Sequence, residues 1–254
     1  MLPAVLSALA SQHGMGSTGG PERALIGGCG TGGVGAMVSL DYASAWVTSN
    51  VMIHGLLDAA LQLDVAPVTP AAAMPLPEQA ASVYRLANAS GRAWPACSAT
   101  YGDGWDAWRC IYGVYRMPFV RVSYMMAQPQ YEAGQLRGDE GGAPPPYAPG
   151  SRAATYAAKF GAAMRTQLAL YPRSDQQGSA VFAPACYAGC LTADGGYFTV
   201  RPARAAAPCQ RPRRSHRSRR WRCRRRGATP RPPRSQTRFA PGALSCSYLV
   251  FILL

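Results

Sequence analysis

Apolar residues gather in four short runs, Arg23 to Gly28, Asn50 to Leu57, Pro118 to Met126 and Ala180 to Ala185. Each is rich in Val, Ile, Phe or Met, the pattern of strands buried on both faces. Helical patterns lie between and before them. Arg152 to Leu170 places Tyr156, Phe160, Met164 and Leu168 on one face, with Ser151 as N-cap and Pro172 just beyond the end. Leu2 to Ala10 predicts an amphipathic helix with Leu2, Val5, Leu6 and Leu9 on one side. Strands alternating with helices predict an α/β fold with a mainly parallel sheet and flanking helices. Ala66 to Pro77 and Gly138 to Gly150, rich in Pro, Ala and Gly, read as connections.

Charge divides the chain unevenly. Of 26 basic residues, 15 are arginines between Arg201 and Arg238, a stretch with no acid, so residues 1–200 are near neutral although the whole carries +14. Lys159 is the single lysine. The expectation is therefore a folded unit over 1–200, a disordered Arg/Pro-rich tail over 201–242, and a short apolar C-terminus over 243–254. Leu244 to Leu254 is too short to span a bilayer. Within the tail, Arg211 to Arg226 with Trp221 interleaved is suited to phosphate backbones, making binding of nucleic acid or another polyanion a second class of function.

Eight cysteines are compatible with an oxidising compartment. Their spacing matches no zinc site, because Cys97, Cys110, Cys186 and Cys190 have no histidines at ligand distance along the chain, so no metal is expected. Asn88-Ala89-Ser90 is an N-glycosylation sequon. The apolar start has no basic residues before it and makes no convincing signal peptide.

The chemistry concentrates at a glycine-rich turn after the first strand. Gly30-Thr31-Gly32-Gly33-Val34-Gly35 satisfies the dinucleotide fingerprint, with Asp58 as a candidate ribose-binding acid. Gly28-Cys29-Gly30-Thr31-Gly32 equally has the frame of a hydrolase nucleophile elbow, with glycine at the apex where the nucleophile belongs. A third reading needs only a tight strand-to-helix turn.

The surrounding sequence favours the elbow. Leu25 to Gly33 followed by Asp41 resembles the pectin acetylesterase and Notum family, whose elbow reads Leu-x-Gly-Cys-Ser-Ala-Gly-Gly. The resemblance continues through Gly55-Leu56-Leu57-Asp58, the Cys97 and Cys110 pair around a Trp-rich loop, Pro118 to Val122, Gln130, and Ala180 to Cys186, covering about residues 3 to 200. It implies an α/β-hydrolase-like fold, carboxylic-ester hydrolysis by serine, aspartate and histidine in that chain order, and no cofactor. Carried over position by position, the serine falls on Gly30, the aspartate on Ala127 and the histidine on Gly189. None of the three has a nucleophilic or titratable side chain. Glu132 lies near the aspartate position, and His13, His54 and His216 lie away from the histidine position.

By the same resemblance, the N–H of Thr31 is one oxyanion donor, and the second belongs to a glycine-rich loop preceding the point where this chain starts. Loss of the strands that accompany that loop predicts exposed sheet edges. Cys97 and Cys110 are implied to be disulfide-bonded, contributing about 3 kcal/mol by the chain-entropy relation. Cys29 is expected as a buried free thiol, and Cys186 and Cys190 have no assigned partners. The implied substrates are acylated polysaccharides or lipid-modified proteins, in a cleft lined by Trp105, Trp108, Tyr124 and Met125, and the implied location is secreted or cell wall. The expected function is that of an inactive homologue, either a pseudoenzyme or a truncated gene model.

Overall fold

The computed structural model describes residues 2–68, 74–89, 95–102, 104–139, 147–193 and 249–253. The basic tail lies outside the described residues. Helix α1 (Leu2–His13) leads into β1 (Arg23–Cys29), α2 (Thr31–Trp46) and β2 (Met52–Asp58). Then come α3 (Leu76–Leu86), α4 (Pro95–Tyr101), a 3₁₀ turn (Ala107–Ile111), α5 (Gly113–Arg116) and a second 3₁₀ turn (Met117–Phe119). Strands β3 (Tyr124–Ala127) and β4 (Tyr131–Glu132), helices α6 (Ala133–Asp139) and α7 (Arg152–Leu168), and strands β5 (Ala180–Phe182), β6 (Tyr187–Ala188) and β7 (Leu249–Leu253) follow.

The main sheet has the order β5-β3-β2-β1-β7. Its first four strands are parallel, and β7 runs antiparallel to β1 from Ala24 opposite Leu253 to Gly28 opposite Leu249. The expected exposed edges therefore do not include β1, which pairs with β7. Strands β4 and β6 form a separate parallel pair.

The core lies between the sheet and its helices, with Ile26, Leu57 and Met126 facing Met37, Leu40, Phe160 and Met164 as fully or nearly fully buried side chains. Helix α7 forms as the pattern predicts: Ser151 Oγ accepts from Ala154 N at 3.1 Å, and Phe160, Met164 and Leu168 are buried. Helix α1 buries Leu6 while Leu2 and Leu9 are half-buried, but Val5 is exposed, 60° off their common face.

Two predicted strands begin or end differently, and side chains are the reason. The run from Pro118 starts as a 3₁₀ turn. There the Asp41 carboxylate takes the N–H groups of Arg121 and Val122 at 2.9 and 3.2 Å, and Gln176 Nε2 donates to Met117 O and Val120 O. Those groups are withdrawn from the ladder until Tyr124. Strand β5 stops at Phe182 because Ala183 O accepts from Gln130 Nε2 and Pro184 has no N–H.

Asp41 also accepts from Arg116 Nη2 at 2.7 Å, in an ion pair whose two side chains are almost wholly buried. Burial pushes the Arg116 guanidinium below its ordinary value, and the Asp41 charge opposes that shift. Such pairs add little net stability over an apolar replacement, but removing one partner strands a buried charge. Asp41→Ala is expected to lower unfolding free energy by about 3–5 kcal/mol, measured by urea denaturation with circular dichroism.

Candidate active site

The turn from β1 into α2 has elbow geometry. Gly30 precedes the first residue of α2 with φ 56° and ψ −121°, a conformation that costs any residue with a Cβ strain energy and that enzymes tolerate at strained apices. Its N–H donates to Asp58 O at 2.9 Å, and its carbonyl accepts from Val34 N at 3.0 Å, so the apex is held from both sides. A Cβ at Gly28 would stand 2.4 Å from the Gly32 backbone, so the approach of strand to helix requires glycine there. At Gly30 the opposite holds: a Cβ would meet nothing within 4 Å. The flanking glycine is enforced by packing, whereas the apical one faces open space.

The other two positions lie at the same end of the sheet. Ala127 closes β3, pairs in register with Asp58 on one side and Phe182 on the other, and is fully buried. Cys29 is also opposite Asp58, so Ala127 and the elbow are separated by one strand, about 10 Å at ordinary spacing. Gly189 follows β6, and a Cβ there would likewise meet nothing within 4 Å. It is brought to the elbow by a disulfide between Cys29 and Cys190, whose Cα atoms are 5.5 Å apart.

That pairing corrects the expectation that Cys29 is a free thiol. The two cysteines adjoin Gly30 and Gly189, and five cysteines in residues 1–200 leave one over, which is Cys186. Across a separation of 161 residues the crosslink restricts the unfolded chain by about 5 kcal/mol on the chain-entropy relation. Cys97 and Cys110 are paired as the resemblance implied, with Cα atoms 5.8 Å apart.

Asp58 is the second tie on the Gly189 segment. Its carboxylate accepts from Leu191 N at 3.0 Å, and from Thr192 N and Thr192 Oγ1 at 2.6 Å each. These contacts occupy the group that the nucleotide reading assigned to a ribose. Burial raises its pKa above 3.8, and the donors on Thr192 and Leu191 partly offset the rise.

Other candidates are placed elsewhere or already engaged. Glu132 Oε1 and Oε2 accept from Gly134 N and Gln135 N, making it a cap for α6, although its backbone pairs with Ala188 next to Gly189. His54 hydrogen-bonds Ser123 Oγ through Nδ1 at 2.7 Å; it sits four residues before Asp58, about 13 Å back along the strand from the elbow end. A cavity of about 470 Å³ there, lined by Asp41, Ser44, His54, Arg121 and Ser123, is thus at the amino end of the strands. His13 ends α1, and His216 lies outside the described residues. Thr31 is the exposed first residue of α2, where helix N–H groups point outward from the turn.

The expected four-residue cleft does not form. Tyr124 is buried with its hydroxyl donating to Gln176 Oε1 at 2.8 Å, whereas Trp105 and Trp108 line a separate groove beside α3. Sequence reasoning missed Arg116 and the buried glutamines Gln128, Gln135 and Gln176. Gln128 Oε1 and Gln135 Oε1 accept from Leu61 N and Leu63 N, fixing the chain as it leaves β2. Among the described residues, no helix is long and apolar enough to cross a membrane.

A mainly parallel sheet, a strand-turn-helix elbow and a segment after β6 tied to the elbow by Cys190 define an α/β-hydrolase fold. Comparison with known proteins agrees: the pectinacetylesterase profile matches residues 1–205, and the chain belongs to that family. It is 29% identical over 177 residues to the palmitoleoyl-protein carboxylesterase Notum of Drosophila melanogaster, covering 68% of this chain and 24% of that protein. The crystal structure of the Wnt deacylase Notum from Drosophila superposes with a TM-score of 0.61 at 27% identity, covering 74% of this chain and 50% of that one. A second crystal form gives the same score at 24% identity, with 78% and 54% covered.

The raised Asp58 pKa fixes a sign. A folded-state value above the unfolded one means that stability is fully present below the unfolded pKa and is lost as pH rises through the folded value. From pH about 4 upward the protein is therefore expected to lose stability relative to Asp58→Asn, whose side chain does not titrate. The measurement is urea unfolding of both proteins at several pH values.

Proposed function

We propose that this chain is a catalytically silent carboxylic-ester hydrolase homologue, which keeps the frame of the acyl site and lacks the groups that perform the reaction. The observation that carries this reading is Gly30: an apex with elbow torsions and clear space ahead of it, yet no side chain to occupy that space. In the serine mechanism, a hydroxyl at this apex attacks the ester carbonyl, histidine accepts its proton and passes it to the leaving alcohol, and aspartate orients the histidine. Gly30 has no attacking atom, Gly189 no base and Ala127 no orienting carboxylate. Losing the serine or histidine of a comparable triad lowers turnover by about 10⁶. By the family resemblance, the N–H of Thr31 at the α2 terminus stands where one oxyanion donor stands in an active relative.

The chain spans about a quarter of the curated relative and half of the solved one. On this reading the ligand class remains the family's, an O-acyl ester on a polysaccharide or a lipid-modified protein, with no cofactor. The two disulfides support a secreted or cell-wall location, because such crosslinks persist in oxidising surroundings. A pseudoenzyme of this kind acts by holding the acyl group.

The purified chain is expected to hydrolyse p-nitrophenyl acetate no faster than buffer and to resist a fluorophosphonate probe. Gly30→Ser combined with Ala127→Asp and Gly189→His is expected to gain fluorophosphonate labelling at residue 30. Labelling and turnover by the unaltered chain would sink the proposal.

A second reading, polyanion binding by the tail, is favoured by the 15 arginines from Arg201 to Arg238. Deleting residues 201–242 is then expected to abolish salt-sensitive retention on immobilised heparin. Undiminished retention would assign it to the folded part.

A further inference from the structure

The Trp-rich loop and the end of α3 enclose a groove of about 460 Å³, lined by Ala81, Tyr84, Arg85, Asn88, Trp105 and Trp108. It belongs to neither the elbow nor the cavity at the opposite end of the sheet. Ring contacts and a crosslink hold its floor. Trp108 packs edge-on against Tyr112 and Tyr115 at 5.6 and 5.9 Å, and the Cys97–Cys110 disulfide closes the segment that carries both tryptophans. Trp105 projects from this base with 86% of its surface exposed, and the Arg85 guanidinium lies 5.8 Å from its ring centroid. A large indole left bare at the rim of a formed groove is a surface awaiting a partner with an apolar face and polar edges.

Asn88 on the groove's lining is the first residue of the Asn88-Ala89-Ser90 sequon. It follows α3 on a turn, with φ 45°, and is exposed. Exposure on a turn is what glycan transfer requires, and the two disulfides support passage through the oxidising compartment where that transfer occurs. A sugar attached to Asn88 starts its path inside the groove.

We propose that Asn88 carries an N-linked glycan, and that its first N-acetylglucosamine packs in this groove against Trp105. In the transfer, the Asn88 amide nitrogen forms a bond to C1 of the first sugar of a polyprenyl-pyrophosphate oligosaccharide. The C1–oxygen bond to pyrophosphate breaks, the amide gives up one proton, and the lipid pyrophosphate leaves. Once attached, the sugar lays its C–H face on the indole, and Arg85 donates to its hydroxyl or acetamide oxygens. Tethering makes this contact intramolecular, at an effective concentration on the order of millimolar, so weak stacking suffices to keep the sugar seated.

The test uses the full chain secreted by a eukaryotic host that adds high-mannose glycans, directed by a cleavable signal. Peptide mass spectrometry is expected to find Asn88 glycosylated, with Ser90→Thr retaining the modification and Ser90→Ala losing it. The folded protein is then trimmed with endoglycosidase H, which leaves one sugar, or with peptide N-glycosidase F, which leaves none. Oxidation by N-bromosuccinimide is read at Trp105, with the 63% exposed Trp46 as internal standard. Trp105 is expected to oxidise several-fold more slowly in the intact and one-sugar forms than in the sugar-free form, with Trp46 unchanged. An unmodified Asn88 in secreted, disulfide-bonded protein overturns the proposal, as does equal Trp105 oxidation in all three forms.

Discussion

The buried carboxylate of Asp41 decides where the second half of the sheet begins. One oxygen holds the Arg116 guanidinium and the other collects the N–H groups of Arg121 and Val122, so α2 is joined directly to the segment that becomes β3. Because those amides are spoken for, β3 starts at Tyr124 and ends at Ala127, and that end fixes the position opposite Asp58. Asp58 performs the matching task at the other end of the strands, where its carboxylate gathers the backbone after Cys190. Two acidic side chains thus act as organisers of backbone rather than as acids or bases.

On the proposed reading, support and chemistry have separated around the elbow. The parts that hold the turn in shape are all engaged: close packing at Gly28, the Gly30 hydrogen bonds, the Cys29–Cys190 crosslink and the Asp58 contacts. On the proposed reading, the three positions of the reacting groups fall on Gly30, Ala127 and Gly189, which offer only hydrogen or methyl. A frame can persist this way because its stability comes from burial and backbone pairing, to which an apical hydroxyl or an imidazole contributes little.

The elbow, the mainly parallel sheet and the helix from Arg152 were legible in sequence because they depend on local signals: glycine spacing, apolar runs, and a serine cap with its periodic face. What escaped depended on partners distant in the chain. The 3₁₀ start after Arg116 is set by Asp41 and Gln176, and neither lies near it in sequence. The partner of Cys29 is 161 residues away, and spacing alone cannot choose among five cysteines. Tyr124 read as a cleft residue because an aromatic in an apolar run looks the same facing a ligand or facing Gln176. Val5 lies at the margin of the face that carries Leu2, Leu6 and Leu9, and periodicity alone does not say where that face meets solvent.

The pairing of β7 with β1 has a consequence in time. It joins a strand near the elbow to residues far along the chain, since Ala24 lies opposite Leu253. A contact of such sequence separation forms late, after its loop-closure entropy has been met. Until then, the nascent chain displays an open β1 edge to every neighbouring chain, and its safe passage depends on the interval between synthesis of the elbow and arrival of β7.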